Sequence, residues 1–461
     1  MGAEASGLDV DTIAAISTAR GVGAIALVRV SGPGSAGVLR KLATGLDGLP
    51  EPRRATVVEL RDPDDGSTVD RAVVTWLMGP ASYTGEDMVE LACHGGWLGP
   101  EIVLDACLRA GARLAEAGEL TRRAYLRGKL DLLQAEATAD LIEARSRAFH
   151  AAALHQVERG LSARVCGVRE RLVHLEALIA HHIDFPEEDD APVPIERVLE
   201  AAGVLVQEID ALLATAPEGE QLREGALAVL AGRPNAGKSS LYNALLGEER
   251  AIVTEEPGTT RDALEATVQV GGYPFRLVDT AGLRESEQTV ERLGIEVARR
   301  YVERADLVLL CVPSGEGVGA VERAFVEGLD DTPVVMVETK ADLGGPRAEG
   351  QQLGAAARVR LSVRTGEGLE ELRAVLPRVA YGRLLEVGAS APVITRRRHA
   401  RGLERARAEV VAFGDALRDG LPAEVASTHL RSAETAVEEL LGVVSVEDVL
   451  EVVFREFCVG K

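Results

Sequence analysis

The sequence predicts an α+β N-terminal domain, an all-α helical domain, and an α/β P-loop (Ras-like) domain inserted into the helical one. Short β-rich runs between turns fill the first part of the chain, proline-free helical sequence follows, and a glycine-rich G-x-x-x-x-G-K-S motif stands after a later apolar run. Alternation of strands and helices around that motif is typical of a parallel α/β sheet. We therefore divide the chain at 1–119, 120–220, 221–379 and 380–461, with the second and fourth segments forming one helical domain.

Length and composition bound the fold and the compartment. The chain of 461 residues is too long for one hydrophobic core and suits roughly three domains. A hydrophobic fraction of 46% excludes wholesale disorder, and no apolar run reaches the ~18 residues of a membrane span. The N-terminus lacks a secretory pattern, and the five cysteines show no C-x-x-C spacing. We therefore expect a cytoplasmic protein without a membrane association, a disulfide scaffold or a zinc site.

The charge of the chain limits how it can meet nucleic acid. The chain has 51 lysines and arginines against 73 aspartates and glutamates, a formal net charge of −22. Such a chain repels a phosphate backbone at long range, so any RNA contact must be local or come through a partner. The densest basic run is 396–399 (R-R-R-H), for which a solvated helix face is an equally good interpretation.

The helical segments follow from composition and periodicity. Residues 120–182 are rich in Ala, Arg, Glu and Leu, with apolar side chains at helical spacing. We expect a long helical hairpin or bundle there, then a break at 184–190 and another helix over about 195–214. Helical composition returns after residue 380, so the α/β domain should be an insertion in a loop of the helical domain.

The inserted domain carries a phosphate-binding motif after its first strand. Apolar runs predict strands at 226–231, 275–278, 307–312 and 334–337. The motif at 232–239 lies between the first of these and a helical stretch. In such a loop backbone N–H groups cradle phosphates, Lys238 reaches the β- and γ-phosphates, and the Ser239 hydroxyl binds Mg²⁺. A chance match is the alternative, and the strand–loop–helix context argues against it.

Two further motifs concern the metal and the γ-phosphate. In G-T-T-R-D at 258–262, Thr260 can bind Mg²⁺ and the γ-phosphate. In D-T-A-G, which ends the second predicted strand, Asp279 can hold Mg²⁺ through water and Gly282 can sense the γ-phosphate.

The last two motifs concern the base. T-K-A-D at 339–342 places Asp342 to accept both N–H donors of a guanine edge, a pair that adenine does not offer. S-V-R at 362–364 should support the base. Thr339 replaces the usual Asn of this motif, and Val363 stands where Ala is common. The ordered motifs at strand ends predict a GTPase, and the inserted domain is therefore a G domain.

The residue after D-T-A-G indicates how the attacking water is positioned. Ras-like GTPases use a Gln there, but this chain has Leu283, which cannot orient water. Asn235 in the phosphate loop can bind a monovalent cation, and Glu291 is the nearest acidic group that could orient the water. From sequence physics alone a solvated helix carboxylate is the better interpretation of Glu291.

Motifs outside the G domain carry a resemblance. They are Y-T-G-E-D-M-V-E at 83–90, H-G-G at 94–96, G-K-L-D-L at 128–132, Q-A-E-A at 134–137, D-F-P-E-E at 184–188 and F-C-V-G-K at 457–461. Together with the GTPase motifs they cover nearly the entire chain, which resembles the bacterial tRNA-modification GTPase family MnmE (also called TrmE).

The resemblance implies a specific activity. It implies a homodimer whose N-terminal domain binds folate and dimerises, and which forms a heterotetramer or larger complex with the FAD-dependent protein MnmG (GidA). The complex installs an aminomethyl-type (carboxymethylaminomethyl) group at C5 of the tRNA wobble uridine. A 5-formyl or 5,10-methylene tetrahydrofolate derivative supplies the carbon. GTP hydrolysis in the family depends on K⁺ and on G-domain dimerisation.

The resemblance also assigns site residues. The folate positions are Arg29, Glu90, Lys129 and Lys461; the potassium ligands are Asn235, Thr254, Glu256 and Thr259; the magnesium ligands are Ser239 and Thr260; and the catalytic positions are Glu291 and Cys458. The full GTP-binding set is Asn235, Ala236, Gly237, Lys238, Ser239, Ser240, Thr254, Glu255, Glu256, Pro257, Gly258, Thr259, Thr260, Asp279, Thr280, Ala281, Gly282, Thr339, Lys340, Ala341, Asp342, Ser362, Val363 and Arg364. The match favours a functional Glu291, whereas a buried structural Cys458 stays an alternative.

A regulatory switch GTPase, for instance in ribosome assembly, is the alternative function. The G domain alone is compatible with it. The first 119 residues and the cysteine-bearing terminus argue against it, because a pure switch has no use for a folate pocket.

Glu291→Ala should lower turnover by ~10²-fold or more and leave GTP binding nearly unchanged, because water orientation acts mainly in the transition state. Phosphate release and nucleotide titration measure the two effects, with Glu287→Ala in the same segment as control. A wild-type rate in Glu291→Ala would return Glu291 to the solvated-surface interpretation.

Overall fold

In a computed structural model of the chain, the described residues are 11–184, 194–248, 265–279, 300–329, 331–344, 354–387, 392–444, 447–455, 457 and 459–460. They belong to two compact units, of which one comprises Met1–Ala139 with Leu441–Lys461 and the other comprises Asp140–Leu440. Each unit is described by itself. The four-segment division made from the sequence stays a prediction.

The first unit is built on a mixed sheet with helices packed against both faces. Its strands are β1 (Ile13–Ile16), β2 (Ile25–Ser31), β3 (Thr56–Arg61), β4 (Thr68–Leu77), β5 (Met88–His94) and β6 (Arg113–Leu114), and its helices begin with α1 (Ser35–Leu42), α2 (Gly99–Arg109), α3 (Glu119–Leu126) and α4 (Leu132–Glu143). The order is β3-β4-β5-β2-β1-β6, antiparallel except for the parallel pair β1–β6. Alternate residues of β2 such as Val28 are buried against α1 and α2, so Arg29 lies on the opposite face. The α+β prediction is confirmed.

The second unit contains helices and an inserted α/β sheet. Its elements are α5 (Arg147–Val157), α6 (Gly160–Asp184), α7 (Ile195–Leu213), α8 (Ala216–Glu224), β7 (Ala226–Ala231), α9 (Lys238–Glu248), β8 (Glu265–Val270), β9 (Tyr273–Asp279), β10 (Leu307–Pro313), α10 (Ala320–Glu327), β11 (Val334–Thr339), β12 (Ala357–Arg360), α11 (Leu369–Ala380), α12 (Gly382–Val387), α13 (Arg397–Arg418) and α14 (Ala423–Leu441). The last helix of the chain, α15 (Glu447–Arg455), belongs to the first unit.

The inserted sheet has the order β12-β11-β10-β7-β9-β8 and is parallel except for the β8–β9 hairpin. All residues of β7, β10 and β11 are buried, as continuous apolar strands are when helices cover both sheet faces. The four predicted strands are present, and β7 has the predicted bounds. Because parallel strands end at one edge, the motifs after β7, β9 and β11 share that edge.

The inserted domain is joined to the helices by buried side-chain contacts as well as by the chain itself. Tyr381, just after α11, is fully buried; its hydroxyl accepts the Ala226 N–H at 3.1 Å and donates to the Pro274 carbonyl at 2.5 Å. Phe149 of α5 lies in the same hydrophobic core as Phe275 of β9. The inserted sheet therefore shares a hydrophobic core with the helices.

The helical sequence over 120–182 forms separate helices rather than one long hairpin. Breaks at 127–131 and 144–146 separate α3, α4 and α5, and a short turn precedes α6. The helix expected over 195–214 is present as α7. None of the helices in the described part of the chain is both long and apolar enough to cross a membrane.

The basic run at 396–399 forms a solvated face only in part. Arg396 is 9% exposed and donates to Asp140 at 2.7 Å, and His399 is buried. Arg397 is exposed and pairs with Glu220. The run is therefore divided between the interior and the surface, and both of these arginines have acidic partners that are distant in the sequence.

Candidate functional site

The phosphate loop joins β7 to α9 in a conformation that its glycines permit. Gly232 has φ 139°, and a Cβ added there would lie 2.4 Å from the Cys311 carbonyl oxygen of β10. Asn235 (φ 60°) and Gly237 (φ 88°) are also left-handed. The backbone therefore turns tightly against the neighbouring strand, as a loop that wraps phosphates must.

Lys238 opens α9 and is buried, with Nζ donating to the carbonyls of Gly232 at 2.9 Å and Arg233 at 2.8 Å. Its ammonium group is thus held over the loop that it is predicted to serve. Ser239 and Ser240 are exposed at the first turn of α9, where backbone N–H groups and the helix dipole favour anions.

Asp279 ends β9 and lies beside the phosphate loop. It pairs in register with Leu230 of β7 and is buried. The Ser239 hydroxyl and the Asp279 carboxylate are hard oxygen donors of the kind that Mg²⁺ prefers, so the described residues fit the predicted metal.

The predicted base site forms at the ends of β11 and β12. Lys340 is left-handed (φ 56°) and turns the chain into a short 3₁₀ helix that carries Asp342. The buried Ser362 hydroxyl donates to Asp342 Oδ1 at 2.7 Å, and Arg364 lies 3.7 Å from Oδ2. These contacts orient the carboxylate that is predicted to read guanine, while Ala341 donates its N–H to the Leu361 carbonyl.

Thr339 links the base motif to the phosphate loop. Its side chain is 2% exposed, and Oγ1 donates to the Ala236 carbonyl at 2.6 Å. A threonine thus provides the brace that we expect of the usual Asn. Because the hydroxyl has one hydrogen and the brace uses it, no donor remains for the purine N7.

In the first unit, Arg29 and Glu90 form a cross-strand ion pair. They are register partners on β2 and β5, and Arg29 Nε lies 2.9 Å from Glu90 Oε1. The Arg29 guanidinium also lies 5.6 Å from the centre of the Tyr83 ring. Burial raises the pKa of the Tyr83 phenol, so the ring is neutral at pH 7, and its hydroxyl shares a hydrogen bond with Thr121.

Lys129 reaches the same loop as Tyr83. Its Nζ donates to the Pro80 carbonyl at 3.0 Å. The loop over residues 79–87 is held by the buried Glu86, which accepts from Ser31 at 2.8 Å and Arg127 at 3.0 Å. Three of the predicted folate residues thus meet on or beside this loop. Tyr83 and Glu86 belong to the motif at 83–90, but the sequence alone indicated no role for them.

The C-terminal segment lies on the first unit. Val459 forms a β-bridge with Ala117, and the Gly460 carbonyl accepts from Ser17 Oγ at 2.8 Å. Ser17 in turn donates its N–H to the Leu27 carbonyl, two residues from Arg29 on β2.

Several predicted site residues lie outside the described residues. They are Thr254, Glu255, Glu256, Pro257, Gly258, Thr259, Thr260, Thr280, Ala281, Gly282, Glu291, Cys458 and Lys461. Of the predicted potassium ligands, the structure describes Asn235 alone, which is exposed in the phosphate loop.

Comparison with known proteins covers almost the whole chain. Residues 12–129 match the family described as GTP-binding protein TrmE N-terminus, and residues 132–458 match the MnmE helical domain. The tRNA modification GTPase MnmE of Heliobacterium modesticaldum is 41% identical over 466 residues, 98% of this chain and 99% of that protein. The tRNA modification GTPase MnmE of Azoarcus sp. is 43% identical over 453 residues, 98% of each. A crystal structure of the G domain of T. maritima FeoB is 28% identical over 34% of this chain and 98% of that one, with a TM-score of 0.25.

Thr339→Asn should tighten GTP binding by about one hydrogen bond, ~1 kcal/mol, because the amide restores a donor for N7. Asp342→Asn should transfer preference to xanthosine triphosphate, whose C2 carbonyl suits an amide donor. Competition titrations of GTP, ATP and xanthosine triphosphate measure both effects. ATP competing equally with GTP in the unmutated chain would contradict this account of base recognition, since adenine leaves the Asp342 carboxylate unpaired.

Proposed function

Because the chain belongs to the MnmE family of tRNA modification GTPases, we propose that it hydrolyses GTP to drive modification of the tRNA wobble uridine in the cytoplasm. The observation that carries the GTPase activity is the Thr339–Ala236 hydrogen bond, which joins the base motif to the phosphate loop. The product is the carboxymethylaminomethyl-type group at C5.

The geometry supports hydrolysis at one sheet edge. The phosphate loop and Lys238 bind the β- and γ-phosphates, while Asp342 and Ser362 select guanine. Ser239, Thr260 and, through water, Asp279 would hold Mg²⁺, which would supply positive charge opposite the γ-phosphate. Glu291 orients the water that attacks the γ-phosphorus.

Two features of the chain support potassium dependence: position 283 is not a glutamine, and Asn235 is exposed in the phosphate loop. Leu283 at the glutamine position cannot orient water, and neither can it supply the positive charge that an arginine finger brings. Asn235 is exposed in the phosphate loop and left-handed, so its side-chain oxygen is accessible to a cation there. Asn235, Thr254, Glu256 and Thr259 would hold K⁺, which would supply the missing positive charge.

Folate binding in the first unit is supported by the chemistry of its site. A pterin edge presents neighbouring N–H donors and a carbonyl, which Glu90 and Arg29 complement as acceptor and donor. Lys129 offers a cation for the carboxylates of the folate tail, as does Lys461 in the C-terminal segment. The placement of Val459 and Gly460 on the same unit supports action of Cys458 on this cofactor.

A homodimer is supported by a partly exposed apolar row on the face of the first sheet that lies opposite α1 and α2. Val57, Val73, Ala92 and Leu27 are consecutive register partners across β3, β4, β5 and β2. Val57 is 61% and Val73 40% exposed. A second copy of the chain would bury this row, which adjoins the row that carries Arg29 and Glu90.

The FAD-dependent partner MnmG and the tRNA are supported by family membership and by charge. The chain has a formal charge of −22, and two of the four residues in the basic run at 396–399, Arg396 and His399, are buried. We therefore assign most of the tRNA contact to the partner in a heterotetramer or larger complex.

Potassium should stimulate GTP hydrolysis, whereas sodium of equal concentration should not, because the smaller ion does not match the same ligand set. Asn235→Ala should abolish the stimulation and leave nucleotide binding measurable. Phosphate release in K⁺ and Na⁺ buffers measures this, with Asn243→Ala on the exposed part of α9 as control. Equal rates in both salts would overturn the potassium proposal.

The full chain should bind 5-formyltetrahydrofolate, and Arg29→Ala or Glu90→Gln should weaken binding by about tenfold or more, because a charge-assisted contact is lost. Calorimetric titration measures the affinity for 5-formyltetrahydrofolate, with Glu59→Gln as an exposed control on β3.

In a deletion strain complemented with Cys458→Ser, mass spectrometry should find no modified wobble nucleoside while GTP hydrolysis persists. Absent folate binding together with normal GTP hydrolysis would favour the regulatory switch GTPase.

A further inference from the structure

Two buried carboxylates in the G domain lie outside the nucleotide motifs. The side chain of Glu322 on α10 is 4% exposed and that of Glu338 on β11 is 5% exposed. A buried carboxylate is stable only when it is paired, and each of these two pairs with arginine. Neither side chain is used by the GTP chemistry described above, so their partners indicate what they do.

Glu322 holds the phosphate loop. Arg233, the second residue of that loop, donates through Nη2 to Glu322 Oε2 at 2.7 Å, and its Nε contacts the other oxygen. Glu322 also accepts the Gly319 N–H at 2.9 Å at the start of its own helix. A Cβ added at Gly319 would lie 2.1 Å from Arg233 Nη2, so this glycine leaves room for the guanidinium.

The contact between Glu322 and Arg233 also bears on the position of Lys238. The Arg233 carbonyl accepts from Lys238 Nζ, so Glu322 fixes the residue on which the lysine rests. Burial alone would raise the pKa of Glu322, but hydrogen bonds from Arg233 and backbone N–H groups keep it below the ordinary value. The carboxylate is therefore charged at neutral pH, and the pair persists wherever GTP is hydrolysed.

Glu338 holds the base-reading segment. Ser314, just after β10, donates through Oγ to Glu338 Oε1 at 3.1 Å, and Arg358 of β12 donates to Oε2 at 3.0 Å. Ser314 also donates its N–H to the Thr339 carbonyl at 2.7 Å. Residues of β11 and β12 and the residue that follows β10 are thus joined at the carboxylate immediately before the base motif.

Glu338 cannot itself touch the base. Successive side chains of a strand point to opposite faces, and Thr339 points to the phosphate loop. Glu338 therefore acts through the positions of Thr339 on β11 and of Ser362, which follows β12.

We propose that Glu322 and Glu338 are positioning residues that hold the two halves of the GTP site independently: Glu322 the phosphate loop, and Glu338 the guanine-reading segment. This proposal rests on the proposed GTP hydrolysis and assigns the parts of its site to separate supports. Each carboxylate then serves as the control for the other.

The test compares binding of GTP with binding of inorganic tripolyphosphate, which lacks the base, by competition against a fluorescent GTP analogue on the full chain. Glu338→Ala should weaken GTP binding about tenfold and leave tripolyphosphate binding within about twofold, because the base segment alone is loosened. Glu322→Ala should weaken both by a similar factor of about tenfold. In Glu338→Gln the amide oxygen can accept from Arg358 while the amide N–H donates to the Ser314 hydroxyl, so this variant should recover GTP binding to within about threefold of the unmutated chain.

Controls separate positioning from loss of structure. Glu371→Ala, exposed on α11, should change neither affinity. Gly319→Ala, which displaces Arg233 without removing a charge, should reproduce the Glu322→Ala pattern if that variant does not fold. Equal losses of both ligands in Glu338→Ala, or unchanged affinities in both alanine variants, would overturn the proposal. An unmutated chain that binds no GTP would overturn the proposed function as well.

Discussion

The functional architecture depends on the burial of one parallel sheet. β7 and β10 are apolar throughout and β11 is apolar up to Val337, and such strands are stable only when both sheet faces are covered. Helices on both sides therefore fix the strand order, and the order decides which loops meet at the carboxyl edge. The phosphate loop, Asp279 and the base motif come together for this reason, although more than a hundred residues separate the first from the last. The hydroxyl of Thr339 then closes the site by bonding to the Ala236 carbonyl.

The same burial couples the G domain to the helices. Phe149 of α5 belongs to the hydrophobic core beneath the sheet, and Tyr381 ties the start of β7 to the start of β9. β9 is held at its start by the helical domain, and it carries Asp279 at its end. This strand is therefore a short connection between the nucleotide site and the helices. Separation of the two parts would expose shared apolar surface, so motion between them is opposed by the hydrophobic effect.

The sequence alone was sufficient to predict those features of the structure that depend on local patterns. β7 has its predicted bounds, and the phosphate loop and the base motif lie at strand ends, because apolar runs and glycine spacing are local properties. It was insufficient for contacts between distant residues. The partners of Tyr381 lie 107 to 160 positions away, and no periodicity indicates them. The burial of Arg396 was missed for the same reason, since its partner Asp140 is 256 positions distant.

Arginine–carboxylate pairs explain how an acidic chain holds its functional loops. Arg123 and Arg127 meet Glu86 under the loop of Tyr83, and Arg233 meets Glu322 under the phosphate loop. A planar guanidinium can bridge several acceptors at fixed angles, whereas a lysine ammonium is a flexible point charge. The carboxylate of each pair is buried and would be left uncompensated without its arginine, so these pairs fix geometry more strongly than fully exposed pairs do. The two functional lysines also contact the backbone, since Nζ of Lys238 donates to the Gly232 and Arg233 carbonyls and Nζ of Lys129 donates to the Pro80 carbonyl. A backbone carbonyl carries no net charge, so these hydrogen bonds hold each ammonium group in place without neutralising it.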